Sequence, residues 1–434
     1  MTLIIVILII FLLAATGISI LSLFKNSTLT MLEKIGMSYG MGVIYITTLM
    51  YALSMLSLKW NFMLVLLLPV PVICLALLKN WPLIKNIKKI SLPNVKLSAV
   101  ECFVLICITA TVIYTILQAL LRPIIGWDVI ASWYIGGKAF YLDGYINPEY
   151  IKYVNYDYPP LVGLFLSFIF TLLGKVEDNI TLLTFTAFYI SLLISFYAYI
   201  RYYLSRSQSL LFTFLLASTQ VILRQAGRFE GGHADLLLAY YFFIAFMLLP
   251  KYIKKPTLST GILINIFLAA GSLIKNEGIT FLLIIQFIFL VLVLKAKKYS
   301  HLFLILIGFL PLLSWQFYKQ INYLPGSYLR GSSIHLERIP TIIYEVGLEF
   351  LNLSRWNFLW LAFILTLIFY FRSKKYRLFI FIVLGQLFMY LFIYIITPLD
   401  YVGQLRSSLD RLLLQLAPIA TALVAQLFTK RKNI

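Results

Sequence analysis

An all-α polytopic membrane protein is the fold class this sequence predicts, and three observations predict it. Of 434 residues, 62% are hydrophobic and only 12% charged, against about 25% charged in an ordinary soluble domain. Several apolar runs reach the roughly 20 residues that a helix needs to cross a bilayer. The ten-residue alternation of a membrane β-barrel is absent, so helices are the spanning element. A soluble enzyme and a disordered chain are excluded.

About thirteen spans are expected, taken in order. The first, roughly 2–24, has no basic residue before its apolar run and reads as a retained helix rather than a cleaved signal. Runs at roughly 33–58, opening on Glu33 and Lys34, and 61–79 complete an N-terminal three-helix unit, residues 1–98. A run at roughly 99–122 leads into a first outer loop, 123–159. Residues 161–173 are apolar but too short to span, and are expected to be re-entrant or interfacial. Runs at roughly 180–200, 208–224, 235–250, 257–274, 279–295 and 301–321 complete a central module, 99–322. Residues 323–434 carry a second outer loop and spans at roughly 356–371, 377–396 and 411–428. In that loop Leu336–Leu351 has Pro340 near its first turn, and Ile339, Ile342, Ile343, Val346 and Phe350 recur at helical spacing, which predicts a helix on the membrane surface.

The formal net charge is +20. In a soluble chain this would point to nucleic acid; here the positive-inside rule accounts for it, and no nucleic-acid partner is expected. Lys85, Lys88, Lys89 and Lys96 mark one inner loop. Lys251, Lys254 and Lys255 mark a second, Lys295, Lys297 and Lys298 a third, and Arg372, Lys374, Lys375 and Arg377 a fourth. The tail adds Lys430, Arg431 and Lys432. All agree if the N-terminus is outside and the C-terminus inside, provided that 161–173 does not cross. Otherwise Arg201 and Arg206 would face outward. In this topology every acid except Glu33 and Glu101 lies on the outer face, which suggests that this face carries chemistry. Cys74, Cys102 and Cys107 lie in apolar runs with no CxxC pair, so neither disulfide nor metal is expected from them.

Four polar segments converge on that face. The first holds Asp128, just beyond a span and between Trp127 and Trp133. A carboxylate at the edge of low dielectric gains basicity and suits a general base; the bland alternative is an N-cap of a helix at 129–141. The two tryptophans read as interfacial anchors. The second segment runs from Arg224 and Arg228 through Glu230 and His233 to Asp235. Such groups are costly near a membrane unless paired or used, and an Arg228–Asp235 or Arg228–Glu230 ion pair weighs equally with a site. The third is Lys275-Asn276-Glu277-Gly278, where Lys275 pairs with Glu277 or holds a phosphate as a point charge. The fourth, entering the last span, holds Asp400, Arg406, Asp410 and Arg411. His233 and Asp235 alone make a weak metal signal.

These motifs resemble those of bacterial GT-C glycosyltransferases related to the protein mannosyltransferase and aminoarabinose transferase group. Trp127-Asp128 with Ser132, Trp133, Lys138 and Ala139 resembles the family's first-loop motif. Tyr158-Pro159-Pro160-Leu161 is similar to its Tyr/His-Pro-Pro-Leu motif. Gly232-His233-Ala234-Asp235-Leu236, Lys275-Asn276-Glu277-Gly278 and Asp410-Arg411-Leu412-Leu413 also have counterparts. The resemblance covers about 99–430, and the three N-terminal spans resemble extra helices of one branch.

The resemblance implies a hexosyl or pentosyl transferase of the plasma membrane that works with inversion on the extracytoplasmic face. Its donor is a sugar on a polyprenyl phosphate drawn from the lipid bilayer; its acceptor is a hydroxyl of a glycan, lipid or protein. Asp128 matches the first-loop acid that acts as base. It stands alone rather than in an acidic pair, so no cofactor or metal is expected. Lys138, Lys275, Arg406 and Arg411 are the candidates for the donor phosphate. Tyr158, Glu230, His233, Asp235, Asn276, Glu277 and Asp410 are the candidates for sugar or acceptor. The alternatives are a transporter or flippase for a lipid-linked or anionic substrate, and an O-antigen polymerase or ligase. Charges clustered at one face, not at the midplane, speak against transport.

Overall fold

The computed structural model describes residues 1–24, 28–84, 96–151, 158–227, 230–324, 331–370 and 373–429. Among them every regular element is helical. Helices α1 (Thr2–Leu23) and α2 (Met31–Met55) form a hairpin. Thr30 and Glu33 cap each other's backbone at the start of α2, which is why this polar pair opens an apolar helix. Short α3 (Phe62–Leu67) and α4 (Val70–Ile84) follow. Ser98 and Glu101 form the same capping box at α5 (Ala99–Leu121).

The loop after α5 then makes one turn of π-helix, Val129–Tyr134, continuous with α6 (Ile135–Asp143), and a short α7 (Pro148–Ile151). Helix α8 (Leu161–Leu173) is buried from Leu161 to Leu172. At 13 residues it is about 20 Å long, short of a bilayer core of about 30 Å. Beyond it come α9 (Asp178–Ile200), α10 (Arg206–Ala217) and α11 (Gln220–Gly227), the last two bent by 67°. The central module ends with α12 (Ala234–Lys254), α13 (Leu258–Ser272), α14 (Asn276–Lys295) and α15 (Leu304–Ile321). The last part holds α16 (Ile339–Phe350), α17 (Leu353–Trp356), α18 (Leu359–Tyr370), α19 (Lys374–Ile396) and α20 (Tyr401–Gln426).

Ten of the described helices are long and apolar enough to cross a membrane, or eleven if the bent α10–α11 pair is one span. Length and composition alone thus do not reach the expected thirteen, and the difference lies in two shorter apolar helices. Helix α13 has 15 residues and α18 only 12. Apolar composition runs past their ends: Leu273 and Ile274 follow α13 outside helix geometry, and Asn357, at φ 53°, breaks the run before α18. Helices α12 and α20 form the centre and are buried along most of their length, whereas α5 is mostly exposed. The amphipathic reading of α16 is realised in part: Ile342 is buried and Phe350 stacks on Trp360 at 5.0 Å, while Ile343 stays exposed.

Two ends of the bundle are distinguished by their ion pairs. Glu33 meets Lys251 at 3.0 Å, Glu101 meets Arg206 at 2.7 Å, and Lys254 donates to the Tyr202 hydroxyl at 3.1 Å. The N-terminus of α5 thus lies beside the start of α10, just after α9 ends. Helices α5 and α9 are antiparallel, so the chain between them leaves and returns at the opposite end. Helix α8, within that stretch, does not cross. Lys85, Lys88, Lys89, Arg372, Lys430, Arg431 and Lys432 fall outside the described residues.

Helices α1 and α2 touch backbone to backbone. A Cβ on Gly42 would fall 1.9 Å from the Leu13 carbonyl oxygen, and one on Gly17 1.7 Å from that of Ser38. Small residues at such crossings are how helices associate in lipid, where apolar burial offers little drive. Gly42→Leu should force the pair apart and lower stability by about 1–3 kcal/mol, read as a lower melting temperature in detergent. Gly347→Ala, with nothing within 4 Å of the added carbon, is the control and should not lower it.

Candidate active site

At the end of the bundle away from Glu33 and Glu101, five segments bring their polar side chains together. Asp235 stands in the first turn of α12 and Glu277 in the first turn of α14. Carboxylates are favoured there by the free N–H groups and dipole of a helix start. Lys275, immediately before α14, bridges them, with Nζ 2.7 Å from Asp235 Oδ1 and 3.1 Å from Glu277 Oε1. Gly278 lets α14 start this close to α13, since a Cβ there would meet the Gly271 carbonyl oxygen at 2.0 Å. Gln415 of α20 donates to the same Asp235 oxygen at 2.7 Å and accepts from the Tyr390 hydroxyl. Asp235 is 1% exposed and Lys275 6%.

Arg411 lies one helical turn before Gln415, hence on the same face of α20. Its Nη1 donates to Asp128 Oδ2 and to His233 Nδ1, the latter at 3.3 Å. A guanidinium only donates, so Nδ1 accepts and the neutral ring carries its proton on Nε2. Burial, reinforced by Arg411, lowers His233 to about 4. Burial alone would lower Lys275 too, but Asp235 and Glu277 hold it well above the ordinary lysine value. For Asp128 burial raises and Arg411 lowers, with His233 and Lys275 helping, and the net result is below the ordinary carboxylate value. The expected gain in basicity is thus reversed, because the low dielectric that would raise the carboxyl also strengthens its ion pair. Nor does Asp128 cap a helix through its side chain: it precedes the π turn and turns to Arg411 instead.

A second cluster lies on the other side of α20. Arg224 pairs with Glu230 and, at 3.3 Å, with Asp410, which also accepts from the Arg411 backbone N–H. Arg355 reaches Asp410 at 3.7 Å and Glu349 at 2.9 Å. Burial, together with Asp410, raises Glu230 despite Arg224. A cleft lined by Glu345, Glu349, Asn352, Arg355, Arg406 and Asp410 opens here.

The structure therefore joins Asp128, His233, Asp235, Lys275, Glu277 and Arg411 in one network and places Glu230 and Asp410 beside it. Asn276 opens α14 next to Lys275. Tyr158 lies under Lys275, whose Nζ is 5.8 Å from the ring centre. Lys138 and Arg406 stay out of the network. Lys138 binds Asp178 at 2.6 Å, and Arg406, its side chain 68% exposed, binds Glu345 at 2.7 Å. Lys275 does pair with Glu277, as the bland alternative had it, but with Asp235 as well. Arg411 pairs with Asp128 and not with Asp400, which caps α20 through Val402 and Gly403. Arg228, the other candidate partner of Glu230 and Asp235, and Asp157 are outside the described residues. Trp133 is 5% exposed and packed against Tyr158, not an interfacial anchor, whereas Trp127 is exposed. Gln415, Tyr390, Arg355 and Glu349 escaped notice; of these only Gln415 carried a signal, its spacing of four from Arg411. Among the described residues no group of three or more His, Cys, Asp or Glu is placed to hold a metal ion.

Residues 157–315 match the family described as dolichyl-phosphate-mannose-protein mannosyltransferase. That family belongs to the GT-C glycosyltransferase group, so the likeness read from the motifs holds over this segment. The mannosyltransferase-like segment contains Tyr158, Glu230, His233, Asp235, Lys275, Asn276 and Glu277; Asp128 and Arg411 flank it in sequence and meet it in space. The match, with the many apolar helices, supports a multi-pass membrane glycosyltransferase of the GT-C type. Comparison with curated proteins and with solved structures gives no match.

The lowered His233 value has a consequence for stability. The unfolded chain takes up this proton near 6.5 and the folded one only near 4, so the stability involved is complete above 6.5 and is lost as pH falls toward 4. The melting temperature should drop over that window, and less steeply in His233→Asn. Equal slopes in both proteins would show that His233 is not held neutral.

Proposed function

We propose that the protein transfers a hexose or pentose from a polyprenyl phosphate to an acceptor hydroxyl, with inversion, on the extracytoplasmic face of the plasma membrane. The observation that carries this reading is the ion network at one end of the bundle, which sets a partly open carboxylate, Asp128, against a mostly buried guanidinium, Arg411. A glycosyl transfer from a lipid phosphate requires both: a base for the attacking hydroxyl and a cation for the departing phosphate.

Asp128 is ionised at neutral pH and half-exposed. It accepts the proton of the acceptor hydroxyl as the oxygen attacks the anomeric carbon and the bond from that carbon to the phosphate oxygen breaks. Arg411 has spare N–H groups, and its Nε is buried without a partner among the described residues; a guanidinium can grip two phosphate oxygens at once. As charge grows on the phosphate it draws Arg411, and the hold of Arg411 on Asp128 slackens just as Asp128 must take a proton. Lys275 adds its field but is committed to two carboxylates, so its first duty is to keep Asp235 and Glu277 in place. Asp235, fully buried and doubly bonded, positions Lys275 and Gln415 rather than sugar hydroxyls. Lys138 and Arg406 have no part in holding the phosphate. The acceptor is a glycan, lipid or protein hydroxyl, and no metal is invoked.

The test is turnover of defined polyprenyl-phosphate sugars by purified protein, with product mass and anomeric configuration as readouts. Asp128→Asn should lose about two or more orders of magnitude in rate and still fold, with a lowered melting temperature, since the Asn oxygen can accept from Arg411 and Asp235 still offsets its charge. Wild-type turnover in the folded variant would overturn the base assignment. Because Arg411 holds Asp128 below its ordinary value, the acid limb of the pH–rate profile should lie below the usual carboxylate range in the wild type. In Arg411→Gln what activity remains should show that limb moved upward. Lys275→Gln takes the cation from buried Asp235 and from partly buried Glu277 and should cost about 3–5 kcal/mol of stability.

A further inference from the structure

An aromatic cavity lies beside the ion network, lined by Ser132, Trp133, Phe140, Tyr158, Gly163 and Trp315 among others. The Trp133 and Tyr158 rings stand 4.7 Å apart, tilted by 36°. Lys275 Nζ is 5.8 Å from the Tyr158 centroid, so Tyr158 is a wall shared by the cavity and the buried cation. Trp315 is 1% exposed, and its Nε1 is buried with no hydrogen-bond partner among the described residues. A buried indole N–H ordinarily finds an acceptor, since leaving it unmet is costly. Trp60 and Trp360 share the unmet nitrogen, but neither lines this cavity.

We propose that this cavity is the subsite for the sugar being transferred, with the ring's apolar face against Trp133 and Tyr158 and one sugar oxygen accepting from Trp315 Nε1. The proposal rests on the reading of the protein as a transferase using a lipid-phosphate donor. Three features select this occupant. No charged side chain is among the described residues that line the cavity, which suits a neutral group better than the phosphate. A prenyl chain would leave the Trp315 N–H unmet, whereas a sugar supplies oxygens. And the occupant lies one aromatic ring away from Lys275, as it must if it is bonded directly to a phosphate held by Arg411 near that lysine. The π turn Val129–Tyr134 keeps Trp133 about one helical turn from Asp128, so the cavity wall and the base belong to the same short helical segment.

The experiment measures binding to purified wild-type protein and to Trp315→Phe, with bare polyprenyl phosphate and with a panel of polyprenyl-phosphate hexoses and pentoses as probes, acceptor absent. In the wild type at least one sugar-bearing lipid should bind more tightly than the bare phosphate. Trp315→Phe keeps an aromatic ring and loses the N–H; it should weaken that lipid roughly three- to tenfold, the worth of one neutral hydrogen bond, and leave bare polyprenyl phosphate unchanged. If bare phosphate binds, and Arg411→Gln weakens it, but no sugar-bearing lipid loses affinity in Trp315→Phe, the sugar subsite is overturned while the lipid-phosphate reading stands. If neither kind of lipid binds, both fall. Should Trp315→Phe not fold, a donor carrying a photoreactive group on its sugar decides in the unaltered chain. Crosslinks at Trp133, Tyr158 or Trp315 support the subsite, and crosslinks confined elsewhere overturn it.

Discussion

A charge cannot be left alone in a low-dielectric helix bundle; the effective cost is several kcal/mol for each ion. Asp235 and Lys275 are almost wholly withdrawn from solvent, so each requires the other, and much of the architecture follows. Their contact brings the start of α12 against the start of α14. The second bond to Asp235, from Gln415, calls for α20 at the same level. Once α20 is there, the residue one turn earlier, Arg411, faces the loop after α5, and Asp128 of that loop meets it. The long-range pairing of loop, central module and last helix thus has one buried ion pair at its root, with the apolar packing of α12 and α20 supplying the bulk of the stability around it.

Much of this was legible in the chain. Spans that must be apolar for about 20 residues announce themselves, as do the capping boxes at Thr30 and Ser98. Composition did not show where helices end or bend. Leu273 and Ile274 extend an apolar run without extending a helix, and the bend between α10 and α11 leaves hydropathy untouched. In the site, the common sidedness of four distant segments was readable, because the distribution of lysines and arginines orients every loop at once. Pairing partners were not. Nothing in the spacing of Lys138 or Arg406 shows that Asp178 and Glu345 stand within reach of them, and Trp133 has the composition of a membrane anchor until its burial against Tyr158 is seen. The sign of the Asp128 shift was likewise beyond reach, since it depends on a partner 283 residues away.

That partner makes Asp128 a carboxylate under two opposed demands. To be ionised and ready it benefits from Arg411; to pull a proton from a hydroxyl it is better without it. A fixed pair would satisfy only the first. A pair whose cation has a second anion to turn toward can satisfy both in sequence, and Glu230 and Asp410, tied to Arg224 on the far side of the helix, are too occupied to compete for it.

The π turn at Val129–Tyr134 sets how this site tolerates change in chain length. A π turn is in effect an α-helix carrying one extra residue. Loss of a single residue there would not break the helix; it would heal it into regular α geometry, locally a more stable one. The cost would fall on direction. Everything before the deletion would swing by about 100° around the axis and shift about 1.5 Å along it, taking Asp128 away from Arg411 while Trp133 kept its seat. The loop is therefore a place where a length change gentle on the fold is severe for the site, so its residue count is constrained more tightly than the residues that fill it.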